Sequence, residues 1–293
     1  MIRGFVGNVR RETKDEFIKE VFQWVGLTIP DSAEPWNLAY DEKHDQPMTY
    51  ADEIDEQLTL SDLEDELPLI KTVTVQSSIH DLSCFIKEKS EPLLIAGPSG
   101  SGKWTLIKHC AYLLENLMVT TIHCTPQTAP IHIIQRLSES CVVTNNAYGR
   151  VYHPREGQQL LLFVKDVNFS KVDKWGSSQL IAFFHQIISH GGFVDDDLEW
   201  ASLENIRLVF SVNTDLKDAR CLVPIRFTSL LRICSISYPT KAELENTYTR
   251  ILMPIVCNLF NASGGRAVEM TASKLARSMI EIYDKVCCRQ LLA

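Results

Sequence analysis

The run Gly97-Pro98-Ser99-Gly100-Ser101-Gly102-Lys103 constrains the fold of this chain more than any other feature. It follows the apolar stretch Pro92–Ala96 and precedes a helical pattern, and that context makes a GxxxxGK spelling a specific signal for a phosphate-binding loop. The glycines let successive backbone amides turn inward toward an anion. The helix after the loop points its positive end at the same place, and Lys103 adds a charge for the terminal phosphates. The bland alternative is a glycine-rich strand–helix turn with a solvated lysine. The next position is normally Ser or Thr, whose hydroxyl holds Mg²⁺, but here it is Trp104. Thr105 lies one residue on, and a helix turns about 100° per residue, so its hydroxyl is expected to face elsewhere. The expected cofactor is ATP or ADP; a role for Mg²⁺ is left open, and no metal ligand is assigned.

The sequence around the loop alternates short apolar runs with helical patterns between residues 72 and 239. Candidate strands are Pro92–Ala96, Met118–His123, Gln159–Lys165, Ile206–Val212 and Arg232–Ser237, each the kind of run that a parallel sheet buries on both faces. A helix is expected over Ser177–His190, with Leu180, Phe184, Ile187 and Ile188 on one face. Five such strands with crossover helices imply an α/β domain with a three-layer parallel sheet. From residue 240 the pattern is helical: Thr240-Lys241-Ala242-Glu243 spells a capping box, and Leu275, Met279, Ile282 and Tyr283 mark a second amphipathic helix. Residues 240–293 thus read as a truncated helical lid. Residues 1–71 read as a helix, with Phe17, Val21, Trp24 and Val25 on one face, followed by an acidic linker in which Pro30, Pro35 and Pro47 interrupt regular structure.

That linker is more acidic than the chain as a whole, whose net charge is −8. Between Asp31 and Ile70 stand 13 acidic residues and one basic residue, Lys43. The eight carboxylates within Asp52–Glu66 lack the glycine and ligand alternation of a calcium loop, so a solvated connector is expected there. An acidic balance argues against nucleic acid as the main partner. The longest apolar stretch, Leu160–Val164, is far short of a membrane span, and the first residues have no signal-peptide core. Nine cysteines without a CxxC pair suggest buried, reduced thiols in a reducing, cytoplasmic compartment.

The stretch Leu160-Leu161-Leu162-Phe163-Val164-Lys165-Asp166 has the form of a Walker B strand, which normally ends in Asp-Glu. The Asp holds Mg²⁺ and the Glu polarises the attacking water. Here Lys165 takes the first place and Asp166, one methylene shorter than Glu, takes the second. A lysine repels Mg²⁺; it either supplies positive charge beside the phosphates or is a salt-bridged strand-end residue. Asp166 remains the candidate base. Asn213, at the end of the run Phe210-Ser211-Val212-Asn213, stands where a polar sensor contacts the terminal phosphate, or is a turn residue. Arg226, in Val223-Pro224-Ile225-Arg226-Phe227, is either a surface arginine or one that reaches into a neighbouring module's site.

The segments Asp173-Lys174-Trp175-Gly176-Ser177-Ser178-Gln179-Leu180-Ile181-Ala182-Phe183-Phe184, Gly191-Gly192-Phe193-Val194-Asp195, Leu198-Glu199-Trp200, Leu203-Glu204-Asn205-Ile206, Arg226-Phe227-Thr228-Ser229 and Tyr238-Pro239 resemble, in order, the dynein heavy chains. The resemblance covers about residues 69–260. Within that family the sequence is most similar to the third AAA+ module of the cytoplasmic dynein 2 heavy chains, motors of intraflagellar transport. That module shares the Lys-Asp ending and a residue other than Ser or Thr after the loop lysine; the tryptophan itself is unusual. The resemblance implies an AAA+ P-loop NTPase fold within a ring of six modules. It implies as partners the neighbouring modules, the dynein light and intermediate chains, and microtubules. It implies a cytoskeletal, ciliary or axonemal location. It also implies a regulatory ATP- or ADP-binding module, with hydrolysis weak or absent and Gly97, Pro98, Ser99, Gly100, Ser101, Gly102, Lys103 and Trp104 around the nucleotide. The alternatives are a non-catalytic interaction module, its pocket empty or permanently occupied, and a freestanding phosphotransferase, for which no acceptor site is visible.

Overall fold

The computed structural model describes residues 11–26, 38–41, 46–50, 58–61, 68–87, 91–114, 116–146, 149–155, 158–195, 197–215, 223–260 and 266–290. In chain order the elements are α1 (Arg11–Val25), β1 (Leu38–Asp41), β2 (Gln46–Thr49), α2 (Val73–Lys87), β3 (Leu93–Gly97), α3 (Lys103–Leu113), β4 (Leu117–His123), α4 (Pro130–Ser140), β5 (Val142–Asn146), β6 (Gly149–His153), β7 (Gln159–Lys165), α5 (Gln179–His190), β8 (Gly192–Val194), β9 (Trp200–Leu203), β10 (Ile206–Asn213), α6 (Ile225–Thr228), β11 (Arg232–Ser235), α7 (Lys241–Leu259) and α8 (Arg266–Gln290). Backbone contacts divide the chain into two units, Met1–Thr28 with Ser78–Ser237 and Ile29–Ser77 with Tyr238–Ala293.

The first unit is built on a five-stranded sheet in the order β11-β3-β10-β7-β4, parallel throughout. The five expected strands are all present, and β7 has the expected bounds. Leu160 to Val164 are each 0% exposed, which explains an apolar run without alternation: both faces of the strand are buried. The loop-bearing strand β3 and β7 are not neighbours. Strand β10 lies between them, with Asn213 in register with Gly97 and Phe210 in register with Val164. Helix α5 begins after Ser178, whose hydroxyl accepts a hydrogen bond from the Ile181 amide, and it ends at Gly191 in the left-handed conformation. It buries Leu180, Phe184 and Ile187, and Phe184 meets Phe210 edge-on at 5.0 Å between ring centroids.

A second sheet, β5-β6-β9-β8, was not expected from the sequence. Its strands are short, and β5 is exposed along its length, so it shows no apolar run to read. Its pairings are also distant in the chain: Arg150 on β6 is in register with Ala201 on β9. Arg150 ties the region together through ion pairs to Asp195, to Asp197 at 2.6 Å and to Glu199 at 3.2 Å.

Two apolar faces differ from expectation. On α1 the buried residue is Ile18, whereas Trp24 and Val25 are exposed. The expected acidic connector over Asp52–Glu66 falls almost wholly outside the described residues. In the second unit, Pro47 does not interrupt regular structure: it lies in β2 opposite Tyr40 of β1. Both members of a two-stranded ribbon are edges, where proline costs no ladder bond. Helix α7 starts with the expected capping box, the Thr240 hydroxyl accepting from the Glu243 amide and the Glu243 carboxylate accepting from the Thr240 amide at 2.8 Å. The same carboxylate accepts from the Thr74 amide at 3.0 Å, so it also anchors the start of α2. On α8 the buried positions are Val268, Ala272, Ala276 and Ile280, while Leu275, Met279, Ile282 and Tyr283 are exposed. The small residues carry the close contact with α7, whose Val256 packs against Val268 and Ala272.

Among the described residues no helix is long and apolar enough to cross a membrane. Of the cysteines, Cys110, Cys124 and Cys234 are buried, Cys141 and Cys257 are half-buried and Cys84 is exposed. Burial pushes the thiols of Cys110 and Cys141 up to about 11. Cys124 is pushed up to about 12, chiefly by burial and further by the nearby Asp166 carboxylate.

Candidate functional site: the loop between β3 and α3

The loop runs from the last residue of β3 to the first turn of α3. Gly97 is required by close approach: a Cβ there would stand 2.7 Å from the Ile236 carbonyl oxygen. Gly100 and Gly102 both take φ of +77°, where side chains are strained. Gly102 is the residue before α3, and its carbonyl accepts from the Leu106 amide at 3.0 Å. The amides at the start of α3 therefore open onto the loop, the arrangement that binds anions. Ser101 Oγ is buried and meets no hydrogen-bond partner among the described residues, so one polar group of the loop is free for a ligand oxygen.

Lys103 is 7% exposed, and its ammonium donates to the carbonyls of Gly97 at 2.8 Å and Pro98 at 2.7 Å. Burial lowers its proton affinity and the neighbouring Lys165 lowers it further; the carboxylates of Asp166 and Asp215 act in the opposite direction. These four side chains therefore share one electrostatic neighbourhood. Lys165 and Asp166 come from the end of β7, and Asp215 follows β10.

Asp166 has φ of +55° and precedes a short 3₁₀ turn over Val167–Phe169. Its amide donates to Ser211 Oγ at 2.9 Å. Asn213 is held by Asn168, whose Nδ2 donates to the Asn213 carbonyl at 3.3 Å and whose Oδ1 accepts from the Asn213 amide at 3.4 Å. Thr214 donates its amide to the Gly97 carbonyl at 3.2 Å, closing the β10 end against the loop. The structure thus brings together Gly97 to Trp104, Asp166 and Asn213. It does not bring Arg226 to them: Arg226 stands on α6, and its Nε donates to His185 Nε2 of α5 at 3.2 Å.

Trp104 stacks on Phe163 of β7, with ring centroids 5.7 Å apart and planes inclined by 16°. Alternation along a strand puts Lys165 on the same face as Phe163. Where a hydroxyl and a carboxylate would normally converge on a cation, this chain has an indole on one element and an ammonium on the other. Thr105 is exposed. Among the described residues no group of three or more His, Cys, Asp or Glu side chains is placed to hold a metal.

Sequence reasoning missed Ser211, Asn168 and Asp215. Ser211 and Asn168 are buried polar residues that order the strand ends. A serine inside the apolar run of β10 was a readable signal for the first. Asp215 is the most consequential omission: its Oδ2 accepts from the Ser99 amide at 2.8 Å, and its own amide donates to Asn213 Oδ1 at 3.0 Å.

The sequence profile of the P-loop containing dynein motor region matches residues 66–239. The chain is 36% identical over 293 residues to the human protein "Cytoplasmic dynein 2 heavy chain 1", a match covering 98% of this chain and 7% of that one. The Caenorhabditis elegans protein of the same name is 32% identical over 290 residues, again 98% of this chain and 7% of the relative. The Drosophila melanogaster protein "Dynein heavy chain, cytoplasmic" is 25% identical over 222 residues, which is 74% of this chain and 4% of that protein. The chain therefore spans about 7% of the length of the dynein 2 relatives it matches. A parallel sheet whose strand β3 leads through a glycine loop to Lys103 at the start of α3, and a dynein motor profile that matches across it, lead to one conclusion: this chain belongs to the dynein heavy-chain motor family, as an AAA module of the dynein 2 type.

Proposed function

We propose that this chain is a regulatory nucleotide-binding module, equivalent to the third AAA+ module of a dynein 2 heavy chain, which binds ATP or ADP and hydrolyses it weakly or not at all. The observation that carries this reading is the contrast within one site. The loop has the backbone geometry for phosphate, a buried lysine and an orphan serine oxygen. The positions that would hold Mg²⁺ carry Trp104 stacked on Phe163 and Lys165 beside Lys103. A nucleotide would fit these residues, whereas a bound Mg²⁺ does not fit the donor set.

A nucleotide would bring its polyphosphate to the loop. Lys103 would then exchange its bonds to the Gly97 and Pro98 carbonyls for phosphate oxygens, and the amides leading into α3 would bind the same group. Lys165 would add a second positive charge in place of the metal's. Asn213 sits at the end of β10, where it can sense whether a terminal phosphate is present. Asp166 is the remaining carboxylate for polarising water, but it lacks the reach of Glu and a metal to work with. Such a module would report its nucleotide state to its neighbours rather than supply turnover. In the full motor those neighbours would be the other AAA+ modules of the heavy chain, with Arg226 offered to an adjacent site. Microtubules, light and intermediate chains and a ciliary, cytoskeletal location would belong to that larger assembly.

A second reading is favoured by the same loop: Lys103 and the Ser99 amide already have partners within the chain, as expected for a structural module that needs no nucleotide. Titration with fluorescent ATP and ADP, alongside steady-state phosphate release, separates the two. Saturable binding with negligible turnover supports regulation. Folded protein that binds neither nucleotide supports the structural module and removes the first proposal.

A further inference from the structure

Resting on the nucleotide-binding reading above, we propose that Asp215 is a specificity-determining residue of the loop, one that disfavours a nucleoside triphosphate relative to a diphosphate. The main observation is that its carboxylate occupies a phosphate-loop donor. Asp215 Oδ2 accepts from the Ser99 amide at 2.8 Å, and Ser99 lies within the loop Gly97–Lys103, two residues after Gly97. A carboxylate on a loop amide is itself the kind of anion that such a nest recognises.

Two further observations show that this is a built arrangement. Asp215 is oriented from behind by Asn213, whose Oδ1 accepts the Asp215 amide at 3.0 Å. Asn213 is in turn clamped by Asn168 on both of its backbone groups, and it is paired in register with Gly97. The backbone that carries the carboxylate is therefore anchored to the end of β10. The carboxylate also acts on the ammonium of Lys103, raising its proton affinity against burial.

The chemical consequence follows from charge. Lys103 is the loop's own counter-charge for the terminal phosphates. A carboxylate already in its field uses part of that charge, and it repels the most highly charged ligand most strongly. A triphosphate carries one more negative charge than a diphosphate, and among the described residues no metal-binding donor set offsets it. Asp215 is exposed, so water and salt screen the effect, which should be largest at low ionic strength. In this scheme the strand that carries the sensor position also carries a built-in competitor for the terminal phosphate.

The test is an equilibrium titration of the 293-residue chain with fluorescent ATP and fluorescent ADP, in low salt and without added divalent cation. It compares wild type, Asp215→Asn, which keeps an acceptor for the Ser99 amide but removes the charge, and Asp215→Ala, with thermal melts to confirm folding. The expected result is that both variants lower the ratio of the ATP to the ADP dissociation constant, on the order of tenfold for the Asn variant, and that 0.5 M salt shrinks the difference. Saturable binding with an unchanged or raised ratio in both variants overturns the role of Asp215 and leaves nucleotide binding standing. Folded wild type and variants that bind neither nucleotide overturn the binding reading, and this proposal with it.

Discussion

The loop after β3 and the end of β7 face the same space, but they would act by different means. The loop works through the main chain: its anion cradle depends on left-handed turns at Gly100 and Gly102 and on the close approach of Gly97 to Ile236. The end of β7 works through side chains, and there Lys165 and Asp166 stand where Asp and Glu would act. Backbone geometry tolerates changes at neighbouring side chains, whereas a metal site fails when one ligand changes sign. Binding and turnover can therefore separate within a single pocket. On the proposed reading, the residues on either side of the Trp104–Phe163 stack would separate the two in this chain.

The strongest test of that contrast rebuilds the side chains. Combining Trp104→Thr, Lys165→Asp and Asp166→Glu should make nucleotide affinity depend on Mg²⁺ and raise phosphate release by on the order of 100-fold. Wild-type protein that already releases phosphate at the rate of the rebuilt variant would break the comparison. Next in size is Lys103→Ala, which removes a charge-assisted contact of about 1.5–3 kcal/mol, or roughly 10- to 100-fold in nucleotide affinity, without loss of the folded state. Isothermal titration alongside circular dichroism reads both, and unchanged affinity would remove Lys103 as a phosphate ligand.

A backbone test comes third. Gly97→Ala should destabilise the first unit by about 1–3 kcal/mol in urea unfolding, because the new methyl meets a carbonyl that cannot rotate away. A neutral effect would mean that the approach of β3 to Ile236 is looser than described. The smallest effect is on pH. The folded-state proton affinity of Lys103 is below its ordinary value, mainly through burial. Between the lowered value and the ordinary one the unfolded chain holds more protons, so this group makes stability rise with pH across that alkaline window. Nucleotide affinity should fall over the same window as the ammonium is lost. Opposite slopes for stability and binding are the expected signature, read by thermal melts and titrations at matched pH; parallel slopes would assign the change to another group.

Much of the first unit is legible in the sequence. The five parallel strands carry short apolar runs because both sheet faces are covered, and the loop glycines are legible because so few residues accept those turns. The Thr240–Glu243 cap was legible too, since its partners are three residues apart. Less local features were not. The β5-β6-β9-β8 sheet joins strands about fifty residues apart, without apolar patterning on β5. The stripe Leu275, Met279, Ile282 and Tyr283 has helical spacing, but it is the side of Val268 and Ala272 that packs on Val256 of α7.

Residue order was enough to establish a P-loop on an α/β sheet, because the loop depends on which groups stand at fixed short spacing. The approach of Asp215 to the Ser99 amide, and Asn168's hold on Asn213, depended on folding. Those contacts join positions 116 and 45 residues apart, and their distance is set by the register of β10 against β3 and β7, which no local pattern encodes.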